Sequence, residues 1–372
     1  MTKSVRCISC GKSSITTSQV LGLCASCIRD DFSRWRDRIA GVHSRLRLED
    51  GLPGDLPQTS GGILCTTCGN QCMLGADQIG YCGLRRVGRD GRLRSVIDGG
   101  SGARVSWYRD PLPTNCVADW VCAGGSSAGY PRWSCAAGPE YGFFNLAVFY
   151  EACSFDCLFC QNWHFRTSRS RPRPASDVAD DASDRVTCIC FFGGDPGPQI
   201  THALGVSRLV RRRRKDVIIR ICWETNGNIS SKYLPSMIRE SMETGGTIKI
   251  DIKAWSESIC YALCGRSNRR SLEVTETLLR ISAKRPEVPL FVASTLLVPG
   301  YVDESEVRAI AEFIASINPE TPYSLLGFAP AFRMSDLPVT SVDHAERCAQ
   351  AALDAGLERV RIGNRHLLGR DY

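Results

Sequence analysis

Cys153, Cys157 and Cys160 stand at C-x3-C-x2-C spacing within EACSFDCLFCQNWH (151–164), with Phe159 directly before the last cysteine. Three thiolates within so short a stretch can grip one face of an iron–sulfur cluster, which takes cysteine ligands. The fourth iron then has no protein ligand in the loop, and an open coordination position suits a catalytic metal better than a structural one. A zinc site is the alternative. A ferredoxin-like cluster is another, although the bacterial ferredoxin run has a different spacing and a following proline. Upstream, NLAVFY (145–150) has the composition of a buried strand. The thiols therefore leave a strand end, where parallel α/β proteins build their sites.

Two further cysteine sets have metal-ligand spacing. Cys7, Cys10, Cys24 and Cys27 form C-x2-C, thirteen residues, then C-x2-C, with Gly11 allowing a tight turn. This predicts a structural zinc ribbon, too small to fold well without its metal, with a rubredoxin-like iron site as the alternative. Cys65, Cys68, Cys72 and Cys82, with glycines at 69, 75, 80 and 83, predict a compact metal-binding knuckle. Zinc is expected there, with a second iron–sulfur cluster as the alternative. Cys116, Cys122 and Cys135 trail through a Gly-, Pro- and Ser-rich tract and read as ordinary buried thiols rather than ligands of an auxiliary cluster. Cys188, Cys190 and Cys222 fall in strands and read as core; Cys260, Cys264 and Cys348 have no partner pattern.

The chain has 372 residues, 20 of them cysteine, and a formal charge of +7. That length suits about two domains. With C-x2-C pairs and no apolar signal core in MTKSVRCISC, the cysteines point to metal ligation in a reducing compartment rather than to disulfides. No apolar run approaches the roughly 18 residues of a membrane span. A cytoplasmic protein is expected, without a membrane partner. Nucleic acid is not expected either: RRRRK (211–215) ends a helix, where cations suit the helix dipole and solvent.

The positioning elements follow. Phe32, Trp35, Ile39, Val42 and Leu46 mark an amphipathic helix within 28–50 on which His43 has no evident role. A linker, GLPGDLPQTSGG (51–62), follows it. These features divide the chain into a ribbon-like module (1–30), a helix and linker (31–62), a cysteine knuckle with a Gly-rich loop region (63–140) and a larger unit (141–372). A small hairpin is expected around Arg89-Asp90-Gly91, and 104–140 reads as loop. From 145 on, six β-rich runs (145–152, 185–194, 216–225, 246–255, 288–298, 322–330) alternate with helical or loop stretches, and a short strand-like piece (359–364) follows the last helix. This predicts repeated βα units in an open, partial (β/α)6 barrel. Residues 165–184 read as a mobile loop or short irregular helix.

Polar or glycine-rich endings follow five of the strands: FGGDP with Gly193, Gly194 and Asp195, ETNG with Glu224, DIK, VPG and GFAPAFRM. Lys249, Asp251 and Lys253 share one strand face, directed into the barrel, where charges are costly unless paired or used. Together with CSFDCLFCQNW and the upstream C-x2-C-x3-C…GYCG knuckle, these segments resemble the radical S-adenosylmethionine (radical SAM) proteins. The resemblance is to the branch of the pyruvate formate-lyase activating enzymes, most closely to AmmeMemoRadiSam-type proteins, and it covers the C-terminal two-thirds of the chain.

The resemblance implies a 4Fe–4S cluster on Cys153, Cys157 and Cys160, with SAM bound at the open iron and reductively cleaved to a 5'-deoxyadenosyl radical that abstracts hydrogen from a substrate. It implies that Phe159 packs near the adenine, that Gly193, Gly194 and Asp195 bind the SAM amino group, and that Glu224 and Lys253 hold its polar groups. An electron donor such as ferredoxin or flavodoxin and an unidentified small-molecule or protein substrate would be partners. Two departures stand out: the family's Gly-Gly-Glu is Gly-Gly-Asp here, and Phe328-Ala329-Pro330 lacks a histidine that relatives often carry. The ribbon is extra to the shared core. Rival readings are an activase that installs a glycyl radical on a protein partner, a non-catalytic zinc/iron–sulfur adaptor, and an electron-transfer protein.

Overall fold

The computed structural model describes residues 3–97 and 102–372. The first two residues of the ribbon module and the end of the 80–99 hairpin tract lie outside them.

Eight strands make the main sheet: β1 (Val105–Pro111), β2 (Phe144–Tyr150), β3 (Val186–Gly193), β4 (Arg220–Thr225), β5 (Ile248–Asp251), β6 (Phe291–Leu297), β7 (Tyr323–Gly327) and β8 (Val360–Gly363). Each pairs with its neighbours in this order; β1–β2 is antiparallel and the rest are parallel. β1 and β8 remain as edges, so the barrel is open. The inner strands are mostly apolar or small residues, because both faces of a parallel sheet are buried, with charges confined to Arg220 and Glu224 of β4 and Lys249 and Asp251 of β5. Helices α4 (Ile200–Arg213), α5 (Leu234–Thr244), α7 (Arg269–Ser282), α8 (Glu304–Ala315) and α9 (Val342–Asp354) make the parallel crossovers, and α3 (Ala175–Asp180) precedes β3. Their apolar stripes, such as Val274, Leu278 and Leu279, pack onto the sheet.

The six expected strands are present, and the piece at 359–364 is a seventh parallel strand. β1 corrects the loop reading of 104–140. It is a half-exposed edge strand, with Tyr108 and Arg109 outward, and its charges and Pro111 conceal the alternation. After β1 the chain crosses the amino-terminal end of the sheet. There Ser324 Oγ of β7 donates to Val117 O (2.7 Å) and Arg361 of β8 pairs with Asp119 (2.7 Å). This segment is the barrel floor.

The 165–184 stretch contains α3 and a two-residue ladder of Arg173–Pro174 with Gly102–Ala103. The hairpin about Gly91 pairs Arg85–Val87 with Leu93–Ser95. Ahead of the barrel lie α1 (Ala25–Asp30) and the amphipathic α2 (Phe32–Glu49), the latter packed on α6 (Glu257–Cys264), a helix the sequence pattern did not reveal. The linker is tied to the knuckle through Thr59 N to Met73 O (3.0 Å) and Met73 N to Pro57 O (2.9 Å). Among the described residues no helix is long and apolar enough to cross a membrane.

Candidate active site

The carboxyl ends of the parallel strands converge on one cleft. Phe192 of β3, Glu224 of β4, Asp251 of β5, Leu296 of β6 and Leu326 of β7 all line it, which requires the sheet to curl. Cys153, Cys157 and Cys160 face the same cleft from the loop after β2, as do Phe159, Gly193, Gly194, Asp195 and Lys253. Every residue assigned to the cluster or to SAM by resemblance is therefore at one place.

The loop is held from several sides. Asp156 N and Leu158 N donate to Cys264 O (2.8 Å) and Leu263 O (2.9 Å) at the end of α6, and Arg333 N donates to Leu158 O (2.9 Å). Gly194 N and Asp195 N bond Tyr150 O (2.9 Å) and Ala152 O (2.8 Å), zipping the end of β3 to the loop entrance. This approach excludes side chains: a Cβ on Gly193, whose φ is +106°, would stand 2.5 Å from Tyr150 N, and one on Gly194 would stand 2.3 Å from Ala152 O.

The buried Asp195 carboxylate accepts from Gly197 N (2.7 Å), Thr225 Oγ1 (2.7 Å) and Asn226 N (2.9 Å). It ties β3 to β4, and these three donors occupy it. The shortening from Glu to Asp thus serves a structural tie, and the backbone of Gly193 and Gly194 lies at the cleft.

Lys253 pairs with Asp251, and its Nζ lies 5.5 Å from the centre of the Phe159 ring. Burial opposes the Lys253 charge, but Asp251 holds the ammonium above its usual range. Glu224 Oε2 lies 3.3 Å from the buried Lys249 Nζ. The costly charges on the β5 face are thus paired.

The donor set fits the implied cluster and SAM. Cys153 Sγ accepts from Phe155 N (3.4 Å) and Asn226 Nδ2 (3.5 Å), contacts that favour a thiolate. Burial pushes the Cys160 thiol up to about 11 and raises Cys153 as well; for Cys157 a contact with Cys264 and then burial do the same. Thiols so desolvated need a nearby positive centre to ionise, which a cluster supplies. Asp251 Oδ1 is buried and unpartnered at the cleft, an acceptor free for a ligand hydroxyl or amine.

Several supporting residues were not recognised from the sequence. Asp156, between Cys153 and Cys157, is buried against His43 Nδ1 (2.6 Å), Arg47 Nη1 (3.4 Å) and Arg166. The signal available was His43 and Arg47 four residues apart on one helix face. Asn70 of the knuckle donates to Ser154 O (2.7 Å) and accepts from Asn228 Nδ2 (2.9 Å), joining knuckle, thiol loop and β4 exit. Trp163 stacks on His164 (4.0 Å) and Phe332 (5.4 Å), closing one side of the loop.

The other cysteine sets differ in spacing. The sulfurs of Cys7, Cys10, Cys24 and Cys27 all lie within 4.8 Å of one another and could hold a metal ion. Among the described residues this is the only group of three or more potential ligands that close; Cys65, Cys68, Cys72 and Cys82 are more widely set. Cys82 packs with Ala152 at the entrance to the thiol loop. The VPG turn serves the ribbon rather than the cleft: a Cβ on Gly300 would stand 2.4 Å from Thr16 O.

Comparison with known proteins agrees with this geometry. Residues 147–314 match the family model of the Radical SAM superfamily. An uncharacterised protein of Methanocaldococcus jannaschii is 23% identical over 316 residues, 81% of each chain. The isethionate sulfite-lyase activating enzyme of Oleidesulfovibrio alaskensis is 28% identical over 45% of this chain and 48% of its own length. For the pyruvate formate-lyase 1-activating enzyme of Escherichia coli the figures are 26%, 45% and 66%. The match therefore spans about half to two-thirds of each activating enzyme. Residues 147–314 thus carry the radical SAM match, and the chain is similar there to the activating enzymes of pyruvate formate-lyase and isethionate sulfite-lyase.

Proposed function

We propose that this protein is an iron–sulfur enzyme that binds SAM at a 4Fe–4S cluster on Cys153, Cys157 and Cys160 and uses it for hydrogen abstraction. The observation that carries the reading is the convergence of those thiols, the Gly193–Gly194 backbone and the Asp251–Lys253 pair on one cleft at the strand ends. With cluster and SAM bound, one-electron reduction would supply a 5'-deoxyadenosyl radical inside the barrel. The chain's own residues have defined tasks. Asp195 and the two glycines shape the rim that receives the SAM amino group. Asp251 offers its free oxygen, and Lys253 and Glu224 place charge beside SAM's polar groups. Phe159 offers a face for the adenine, and the buried Asp156 cluster holds the thiol loop in place.

The substrate we propose is a segment of a peptide or protein, as an activase would require. The support is that two similar proteins are named as activating enzymes of lyases. The close cysteine set of the ribbon suits zinc. The wider knuckle suits a second iron–sulfur cluster better than a lone zinc, since tetrahedral Zn–S bonds of about 2.3 Å put sulfurs only about 3.8 Å apart. A low-potential donor such as ferredoxin or flavodoxin would supply the electron.

The test is anaerobic reconstitution with iron and sulfide, addition of dithionite and SAM, and quantification of 5'-deoxyadenosine. Product from the wild type and none from Cys153/Cys157/Cys160→Ala supports the reading. No product from a wild type whose cluster is intact and reducible rejects it in favour of the adaptor or electron-transfer reading.

A further inference from the structure

The barrel floor holds a thiol-lined chamber that this chemistry does not use. Cys188 and Cys190 of β3, Cys222 of β4, and Cys116 and Cys122 of the floor segment line a cavity of about 450 Å³. The two-residue step along β3 puts Cys188 and Cys190 on one face, and the sheet register sets Cys190 beside Cys222. Cys188 Sγ is 3.6 Å from Cys222 Sγ. Lys249 Nζ lies 3.1 Å from Cys116 Sγ and 3.0 Å from Cys190 Sγ. Phe192 and Glu224 belong to the walls of both this cavity and the cofactor cleft, so the two spaces adjoin.

We propose that Cys116, Cys188, Cys190 and Cys222 hold an additional iron–sulfur cluster on the barrel floor, facing the cofactor cleft across Glu224. Core cysteines pack against apolar neighbours, whereas these four face an open volume alongside a lysine and a glutamate. A lone metal ion fits poorly. A zinc tetrahedron needs every sulfur pair near about 3.8 Å. The ribbon meets that requirement, but among the described residues no three of the floor thiols lie mutually within 4.8 Å. A cluster spreads its ligands around an iron–sulfide core and fills more of the chamber.

One polar group fits the same occupant. Lys249 places a cation against two of the sulfurs, which favours the ligating thiolate.

The test is independent of SAM cleavage. The full chain carrying Cys153/Cys157/Cys160→Ala is reconstituted anaerobically, with and without Cys116/Cys190/Cys222→Ser. Iron and acid-labile sulfide are then counted, and the knuckle is common to both proteins. The expected result is a loss of about two to four irons and as many sulfides per chain when the floor thiols are replaced. A Cys348→Ser control, a buried thiol outside the chamber, should lose none. Equal counts in the two proteins overturn the proposal, as does loss of zinc instead of iron and sulfide. In case the combined variant fails to fold, Cys222→Ser alone in the triple-Ala background should alter the electron paramagnetic resonance spectrum of the reduced protein through the changed ligand. An unchanged spectrum also overturns the proposal.

Discussion

His43 Nδ1 and Asp156 Oδ2 lie 2.6 Å apart in the interior, joining helix α2 to the thiol loop between two of its cysteines. Asp156 also meets Arg47 and Arg166, and His43 Nε2 bonds Ala262 O (3.0 Å) on α6. The helix ahead of the barrel is thus part of the support of the cluster loop. Removing one partner of a buried charge cluster strands the others, at a cost of about 3–5 kcal/mol. Asp156→Ala should lower the unfolding free energy by that amount and reduce the iron retained per chain after desalting. Unchanged stability and iron content would show the cluster loop to be held by its backbone bonds alone.

The same carboxylate has a pH consequence. Burial pushes Asp156 up, but His43, Arg166 and Arg47 outweigh it and hold the group below the usual carboxylate range. A folded-state pKa below the unfolded value of about 3.9 stabilises the protein above that pH, and the benefit is lost as pH falls through the lower value. Thermal melts of metal-free protein between about pH 5 and 2 should show a steeper loss for the wild type than for Asp156→Asn, which has no carboxylate to protonate there.

At the cofactor cleft, Asp251 supplies a free buried oxygen and neutralises Lys253. Asp251→Ala should weaken SAM binding about 10- to 100-fold, the range expected for a lost charge-assisted hydrogen bond. Cluster iron should be unchanged, because Asp251 is not a ligand. Calorimetry on reconstituted protein separates the two effects.

Gly193→Ala tests the close approach of β3 to the thiol loop. At φ +106° and 2.5 Å from Tyr150 N, the added methyl must displace backbone. A destabilisation above about 2 kcal/mol is expected, together with lower cluster occupancy. Denaturant unfolding and iron content measure both. A stable, fully loaded Gly193→Ala protein would mean that the strand end relaxes freely.

The parts legible in the sequence were those encoded locally. Cys153, Cys157 and Cys160 announce themselves by spacing, and the inner strands by largely apolar β-rich runs, because both faces of a parallel sheet are buried. Edge strand β1 escaped since half its side chains face solvent. The Asp156 cluster joins residues more than a hundred positions apart, and no short pattern records such a contact. Cys188 and Cys190 do share a face by period, but their chamber exists only because the floor segment brings Cys116 opposite them. Asp195 lies at the cleft, and its donors Thr225 and Asn226 come from β4 and its exit, so its structural role required the fold.

The ribbon docks on the turn between β6 and α8. Tyr301 Oη accepts from Ser18 N (3.0 Å) and donates to Leu23 O (2.8 Å), while Arg29 pairs with Asp303 (2.6 Å) and Glu306 (3.0 Å). Its four close sulfurs are contributed entirely from within residues 7–27, whereas the docking contacts come from the barrel. Metal loading and docking should therefore separate. Tyr301→Phe loses two buried hydrogen bonds, each worth about 0.5–1.5 kcal/mol, and leaves Ser18 N and Leu23 O without their partner. It should increase limited proteolysis within the ribbon while leaving its zinc content at that of the wild type. Cys10→Ser should lower zinc by one per chain. If Tyr301→Phe instead released the zinc, folding of the ribbon would depend on the barrel surface rather than on its own four thiolates.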